Sequence, residues 1–199
     1  ASDRARSDPR VYADEVRIEP KDGATLEVRT HREGVLSAVG HDLSIIAPRF
    51  SIDIDGEPAT GDVRSVVLAV DARALSVDGA LTHGGVDRSV LSANERRDIE
   101  RSMRDDVLAA DANPSIGFRA DRIKREGDVF SIEGELSLAG RSRPIALRAE
   151  RRGADVVAEV TIHQPDFGIR PFRAMLGALK VRADVSVRVT VPARALGLA

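Results

Sequence analysis

The stretch Ala178-Leu179-Lys180-Val181-Arg182-Ala183-Asp184-Val185-Ser186-Val187-Arg188-Val189-Thr190-Val191 decides the fold. Every odd position from Leu179 to Val191 is apolar, and every even position from Lys180 to Thr190 is polar or charged. This is the period-2 alternation of a strand with one face buried and the other wet; a helix would spread the same residues around its circumference. Read as one unbroken strand at about 3.3 Å per residue, the run extends about 40 Å and demands neighbours of similar length. The expectation is an extended antiparallel sheet with a single apolar face.

Working outward, residues 12–18 form a candidate edge strand. After the turn Pro20-Lys21-Asp22-Gly23, Leu26, Val28 and Thr30 alternate with charges and predict a strand over 24–32. Gly34 interrupts it, and 35–39 reads as its continuation. Leu43-Ser44-Ile45 resumes after Gly40-His41-Asp42. Phe50, Ile52 and Ile54 then alternate with Ser51, Asp53 and Asp55, and 65–71 is a fuller apolar run. Residues 72–93, with Asp78-Gly79 and Gly84-Gly85, read as a long excursion of low regularity. Residues 94–108 predict the one helix, with Asn94 as N-cap and Ile99, Met103 and Val107 on one side. Four further strands carry Ile116 and Phe118; Phe130, Ile132, Leu136 and Leu138; Ile145 and Leu147; and Val156, Val160 and Ile162. Hairpin-length turns separate the first pairs. About eight serially connected strands and one helix predict an all-β, antiparallel up-and-down barrel. The expected organisation is a disordered arm over 1–10, the barrel over 11–193 and a tail over 194–199.

Composition narrows the function. The 199 residues suit one domain, and 30 basic against 32 acidic residues give a net charge of -2. Such a balance offers no general attraction to nucleic acid or to an anionic membrane. With no Cys, disulfides, thiolate metal sites and Cys nucleophiles are excluded. No apolar run approaches the roughly 20 residues needed to span a bilayer as a helix. Aromatic residues make up 3% of the chain, so few rings are available to plug a barrel interior. An eight-strand barrel has room for its own side chains or a slender ligand, and an elongated apolar cavity follows.

The chain also resembles the YceI family of bacterial polyisoprenoid-binding proteins, whose barrels are elongated and lipocalin-like. The resemblance is carried by Ala38-Val39-Gly40-His41-Asp42-Leu43, by Asn94-Glu95-Arg96-Arg97-Asp98, and by LAADANPSIGF from Leu108 to Phe118. It continues in GELSLAGRSRPI from Gly134 to Ile145 and in Asp166-Phe167-Gly168-Ile169. Residues 72–93 are longer than the usual family counterpart. The resemblance implies a non-catalytic carrier of a long isoprenoid lipid, with a quinone-type or polyprenyl phosphate headgroup, and no cofactor beyond that bound lipid.

The expected ligand wall consists of Phe118, Phe130, Ile132, Leu136, Leu147, Leu179, Val181, Val185 and Val187, with Phe167 at a rim, lid or plug. His41 is the candidate headgroup contact, with Asp42 fixing its tautomer; the alternative is that the pair satisfies backbone groups at a bend. A rival reading makes His41 and Asp42 the centre of a small hydrolase or isomerase, and another makes the protein a structural or interaction barrel with a closed core. The sequence has no Gly-x-Ser-x-Gly elbow and no phosphate-binding Gly-rich loop. The spacing of His31, His41, His83 and His163 matches no metal-ligand motif, and all four read as scattered surface residues.

Overall fold

The computed structural model describes residues 15–34, 40–174 and 178–198. Its strands are β1 (Glu15–Ile18), β2 (Thr25–Thr30), β3 (Arg32–Glu33), β4 (Leu43–Ile46), β5 (Phe50–Glu57), β6 (Asp62–Asp71), β7 (Ser76–Thr82) and β8 (Gly85–Asp87). After the helix come β9 (Ser115–Glu126), β10 (Val129–Leu138), β11 (Arg141–Arg152), β12 (Asp155–His163), β13 (Arg173–Ala174), β14 (Leu179–Val181) and β15 (Asp184–Pro192). The expected arm over 1–10 and the continuation over 35–39 lie outside the described residues.

Among the described residues, twelve strands form one antiparallel sheet in the order β1-β5-β6-β9-β10-β11-β12-β15-β2-β4-β7-β8. Its register sets apolar residues side by side: Leu68 against Phe118 and Phe118 against Leu136, then Val160 against Val187 and Val187 against Val28. Gly134 of β10 faces a bulge at Asp121 of β9, and an added Cβ there would lie 2.3 Å from the Arg119 carbonyl oxygen.

Among the described residues the hydrogen-bonded ladder is open, with β1 and β8 as its edges: the expected mostly-β antiparallel architecture with one helix is present, but as a twelve-strand open sheet rather than a closed barrel of eight serially connected strands. The sheet nevertheless rolls up. Consecutive strands β4 and β5 lie near opposite ends of the strand order, yet only residues 47–49 separate them. That link spans at most about 14 Å from strand to strand, so it forces the two ends of the sheet together. Residues 72–75 cross between β6 and β7 in the same way, with the Asp71 amide donating to the Arg49 carbonyl. Ile18, Leu26, Ile45, Phe50 and Leu75 then share one core cluster across the seam. Side chains, rather than a ladder, close the roll.

Further local expectations are also revised. Residues 72–93 contain β7 and β8 rather than an irregular excursion. The helix α1 (Ala93–Ser102) is capped by Ser92, not Asn94: Ser92 Oγ accepts from the Glu95 amide at 3.3 Å while Glu95 accepts from the Ser92 amide at 2.8 Å. This reciprocal capping box satisfies two otherwise orphaned donors. A π-helical turn over Met103–Val107 continues it, and Glu100 accepts the Val77 amide at 2.9 Å, tying the helix to β7.

The long final strand is broken at Arg182-Ala183. There the backbone serves other partners: the Arg182 amide donates to the His31 carbonyl at 2.7 Å, and the Ala183 carbonyl accepts the Gln164 amide at 2.9 Å. β14 joins β13 and β3 in a separate three-stranded sheet, while β15 stays in the main one. The residues expected as a tail turn back instead, and Leu196 and Leu198 are buried in the core.

Candidate functional site

The rolled sheet encloses adjoining apolar chambers. The first, about 140 Å³, is lined by Phe118, Phe130, Ile132 and Leu147 together with Ile52, Ile54, Val189 and Leu196. The middle chamber, about 200 Å³, shares Leu68, Phe118 and Leu147 with it and adds Leu136, Val185, Val187, Leu26 and Val28. Met103, Val107 and Leu108, from the π-helical turn and the residue after it, complete this middle wall. A mouth chamber of about 400 Å³ shares Thr30, Ile45, Met103, Val107 and Gln164 with the middle one, and adds Leu179, Val181, Ile99 and His41.

Seven of the nine expected wall residues therefore line the first and middle chambers: Phe118, Phe130, Ile132, Leu136, Leu147, Val185 and Val187. Leu179 and Val181 line the mouth instead. The break at Arg182-Ala183 preserves their alternation with β15 but carries them into the second sheet. Phe167 borders none of the three chambers. It is 3% exposed, packed in a core cluster with Phe118, Ala120, Leu136, Ile162 and Ile169, and is a plug rather than a rim.

The polar groups change along this path. In the middle chamber, Thr30 and Gln164 are the polar residues of an otherwise apolar wall. Gln164 is buried, and its Nε2 donates to the Arg182 carbonyl at 3.0 Å, which fixes the amide at the neck between middle and mouth. A buried Gln beside a Pro carries no periodic signal, and only the chain break at Arg182-Ala183 gives it a partner. The mouth is mixed in charge, with Arg32, His41 and Lys180 facing Glu95 and Asp98. The Ser92 hydroxyl, followed by its amide, holds the Glu95 carboxyl below the ordinary glutamate range; burial opposes this and His41 adds to it.

His41 lies on the mouth wall, but Asp42 does not orient it. Asp42 accepts from the Arg32 amide at 2.8 Å and meets His31 Nδ1 at 2.9 Å. Burial pushes the Asp42 carboxyl up, yet the Arg32 amide, the His31 ring and the Arg32 guanidinium together hold it below the ordinary aspartate value. The pairing follows from the extended chain, on which adjacent side chains leave on opposite faces. Asp42 therefore clasps residues 31 and 32 to the start of β4. Among the described residues no serine hydroxyl is bonded to an imidazole, and no group of three potential metal ligands converges. His163 is paired across strands with Asp184 at 2.6 Å, on the outside of the sheet.

The YceI-like domain profile matches residues 48–193. Among solved structures, BcnA of Burkholderia cenocepacia is similar at 12% identity and a TM-score of 0.59, over 85% of this chain and 95% of that one. A polyisoprenoid-binding domain from Saccharophagus degradans is similar at 12% identity and a TM-score of 0.57, over 90% and 97%. A YceI protein of Campylobacter jejuni is similar at 17% identity and a TM-score of 0.52, over 74% and 81%. Identities this low speak to the fold alone. No match is found among curated proteins.

Proposed function

This chain belongs to the YceI-like domain family, and from that premise we propose that it binds and carries an elongated apolar molecule of the isoprenoid-lipid class, without transforming it. The observation that carries this reading is unfilled space behind an apolar wall. Chambers bounded by Phe118, Phe130, Leu136, Leu147, Val185 and Val187 run inward from a polar mouth. The similarity to a domain described as polyisoprenoid-binding supports the choice of class.

A linear hydrocarbon in such a space is held by area. Each 100 Å² of apolar surface removed from water contributes about 2.5 kcal/mol, and no directional bond is needed until the chain reaches Thr30 and Gln164. A headgroup would then rest among Gln164, His41, Lys180 and Arg32, where hydrogen-bond donors face the opening. The other wall positions are aliphatic and phenylalanine side chains without polar groups, so the site distinguishes tails by girth and length rather than by functional group.

The test is organic extraction of the purified protein followed by mass spectrometry, with parallel titration of the stripped protein by an isoprenoid quinone and a polyprenyl phosphate. Recovery of a long-chain lipid, and saturable uptake of at least one probe, are expected. A preparation that yields no lipid and takes up neither probe overturns the carrier reading in favour of a closed structural core.

A further inference from the structure

We propose that the surface beside the mouth chamber, where Phe172 and Lys180 border the mouth and Arg170, Arg173 and Arg182 lie next to them in the chain, is a docking surface for an anionic lipid bilayer. The inference rests on the carrier reading for its purpose, since a long hydrocarbon is collected from a membrane rather than from water. Its physical grounds are separate. Across most of the chain basic residues are interspersed with acidic ones, but from Phe167 to Ala183 there are four basic residues and no acidic one. Arg170, Arg173 and Arg182 are exposed, Lys180 is half-buried, and Arg173 lies opposite Lys180 in the β13–β14 ladder. Among the described residues none of the four makes a salt bridge.

Phe172 projects from the middle of these cations. It is 37% exposed and also borders the mouth chamber. The other large apolar side chain exposed among the described residues is Val90, at 39%. Val90 lies on an outer groove that shares Arg32 and His41 with the mouth. Single exposed apolar residues need no explanation, but two flanking one opening, with cations beside one of them, match a surface that seats on headgroups. An aromatic ring enters the interfacial layer while the guanidinium groups meet lipid phosphates.

The acidic groups at this end are Glu33, opposite Lys180, Glu95 and Asp98 on the helix side of the mouth, and Asp166 and Asp184, which bound the basic run and of which Asp184 is paired with His163. Glu95 and Asp98 face the chamber from the helix side, while Glu33 neighbours Lys180 alone, so the attraction rests on Arg170, Arg173 and Arg182 around Phe172. The chain's net charge of -2 adds no long-range pull, and the contact works only within about a Debye length, about 8 Å at physiological salt.

The experiment is flotation of the full chain with vesicles of phosphatidylcholine alone and of phosphatidylcholine containing phosphatidylglycerol. Binding at least about tenfold stronger to the anionic vesicles, weakening as salt is raised, is expected from about fivefold per basic residue near an anionic surface. The double variant Arg170→Glu/Arg173→Glu should lose about tenfold or more of that binding, and Phe172→Ser should weaken it on both sides of the salt series. Equal partition onto both vesicle types, no partition onto either, or undiminished binding by the charge-reversed variant overturns the proposal. So does sedimentation showing that Phe172 instead holds two copies of the chain together. Lipid retention is measured on the same preparations: the charge-reversed protein should keep its extractable lipid. Vesicle binding by a protein that retains no lipid would remove the carrier reading and leave the docking surface standing.

Discussion

Val185 and Ser186 are neighbours in β15 with opposite surroundings: Val185 borders the middle chamber and Ser186 is exposed. Val185→Phe should therefore obstruct an apolar chain while Ser186→Phe leaves uptake unchanged, measured as probe retention by two variants that both remain folded. Equal retention would place the ligand elsewhere. On the outer face, the hydrogen bond to Asp184 holds the His163 imidazole above its ordinary value of about 6.5, against a smaller opposing effect of burial. A raised folded-state value means that this pair stabilises the fold fully below the unfolded pKa and loses that effect as pH rises through the folded one. In an NMR titration His163 should have a midpoint above about 6.5, and Asp184→Asn should bring it down. Individual wall residues were legible because alternation alone assigns a side chain to one face. The neck residue Gln164 and the true partner of Asp42 were not, since each depends on a backbone group far away in sequence.

At the scale of elements, two small features hold shape out of proportion to their size. Gly134 lets β10 pass close to β9, and a methyl group there would meet both the Arg119 carbonyl and Ala120. Gly134→Ala should cost about 1–3 kcal/mol through overpacking, read as a lower denaturant midpoint with an unchanged slope. The Ser92–Glu95 box fixes where α1 begins, and the π-helical turn that continues it places Met103 and Val107 on the chamber wall. Ser92→Ala should cost about 1 kcal/mol in the same measurement. The strands from β9 to β12 could be read from sequence because strict alternation and tight turns recur there. By contrast, the β7 stretch Ser-Val-Asp-Gly-Ala-Leu-Thr alternates imperfectly and contains Gly79, whose missing side chain admits the Asp87 backbone. The break after Val181 was hidden for the opposite reason: apolar and polar residues keep their period across it while the hydrogen bonds change partners.

For the whole molecule, the order of strands was the least legible property. No local pattern states that β4 pairs with β7 while its immediate successor β5 pairs with β1 and β6. Those pairings leave the backbone groups along the outer edges of β1 and β8 outside the main ladder. Amide exchange should therefore be fastest at those two edges and slowest in the centre of β10, which is bonded on both sides; uniform protection around the roll would argue for a closed ladder. A ladder closed on itself has a circumference fixed in steps, by how many strands it contains and how far they are staggered. A sheet whose margins meet through Phe50, Leu75 and Ile45 is bound by no such arithmetic. Its girth is set by side-chain packing along that seam, so small rotations of those side chains can change it with every strand pairing kept and no backbone bond broken.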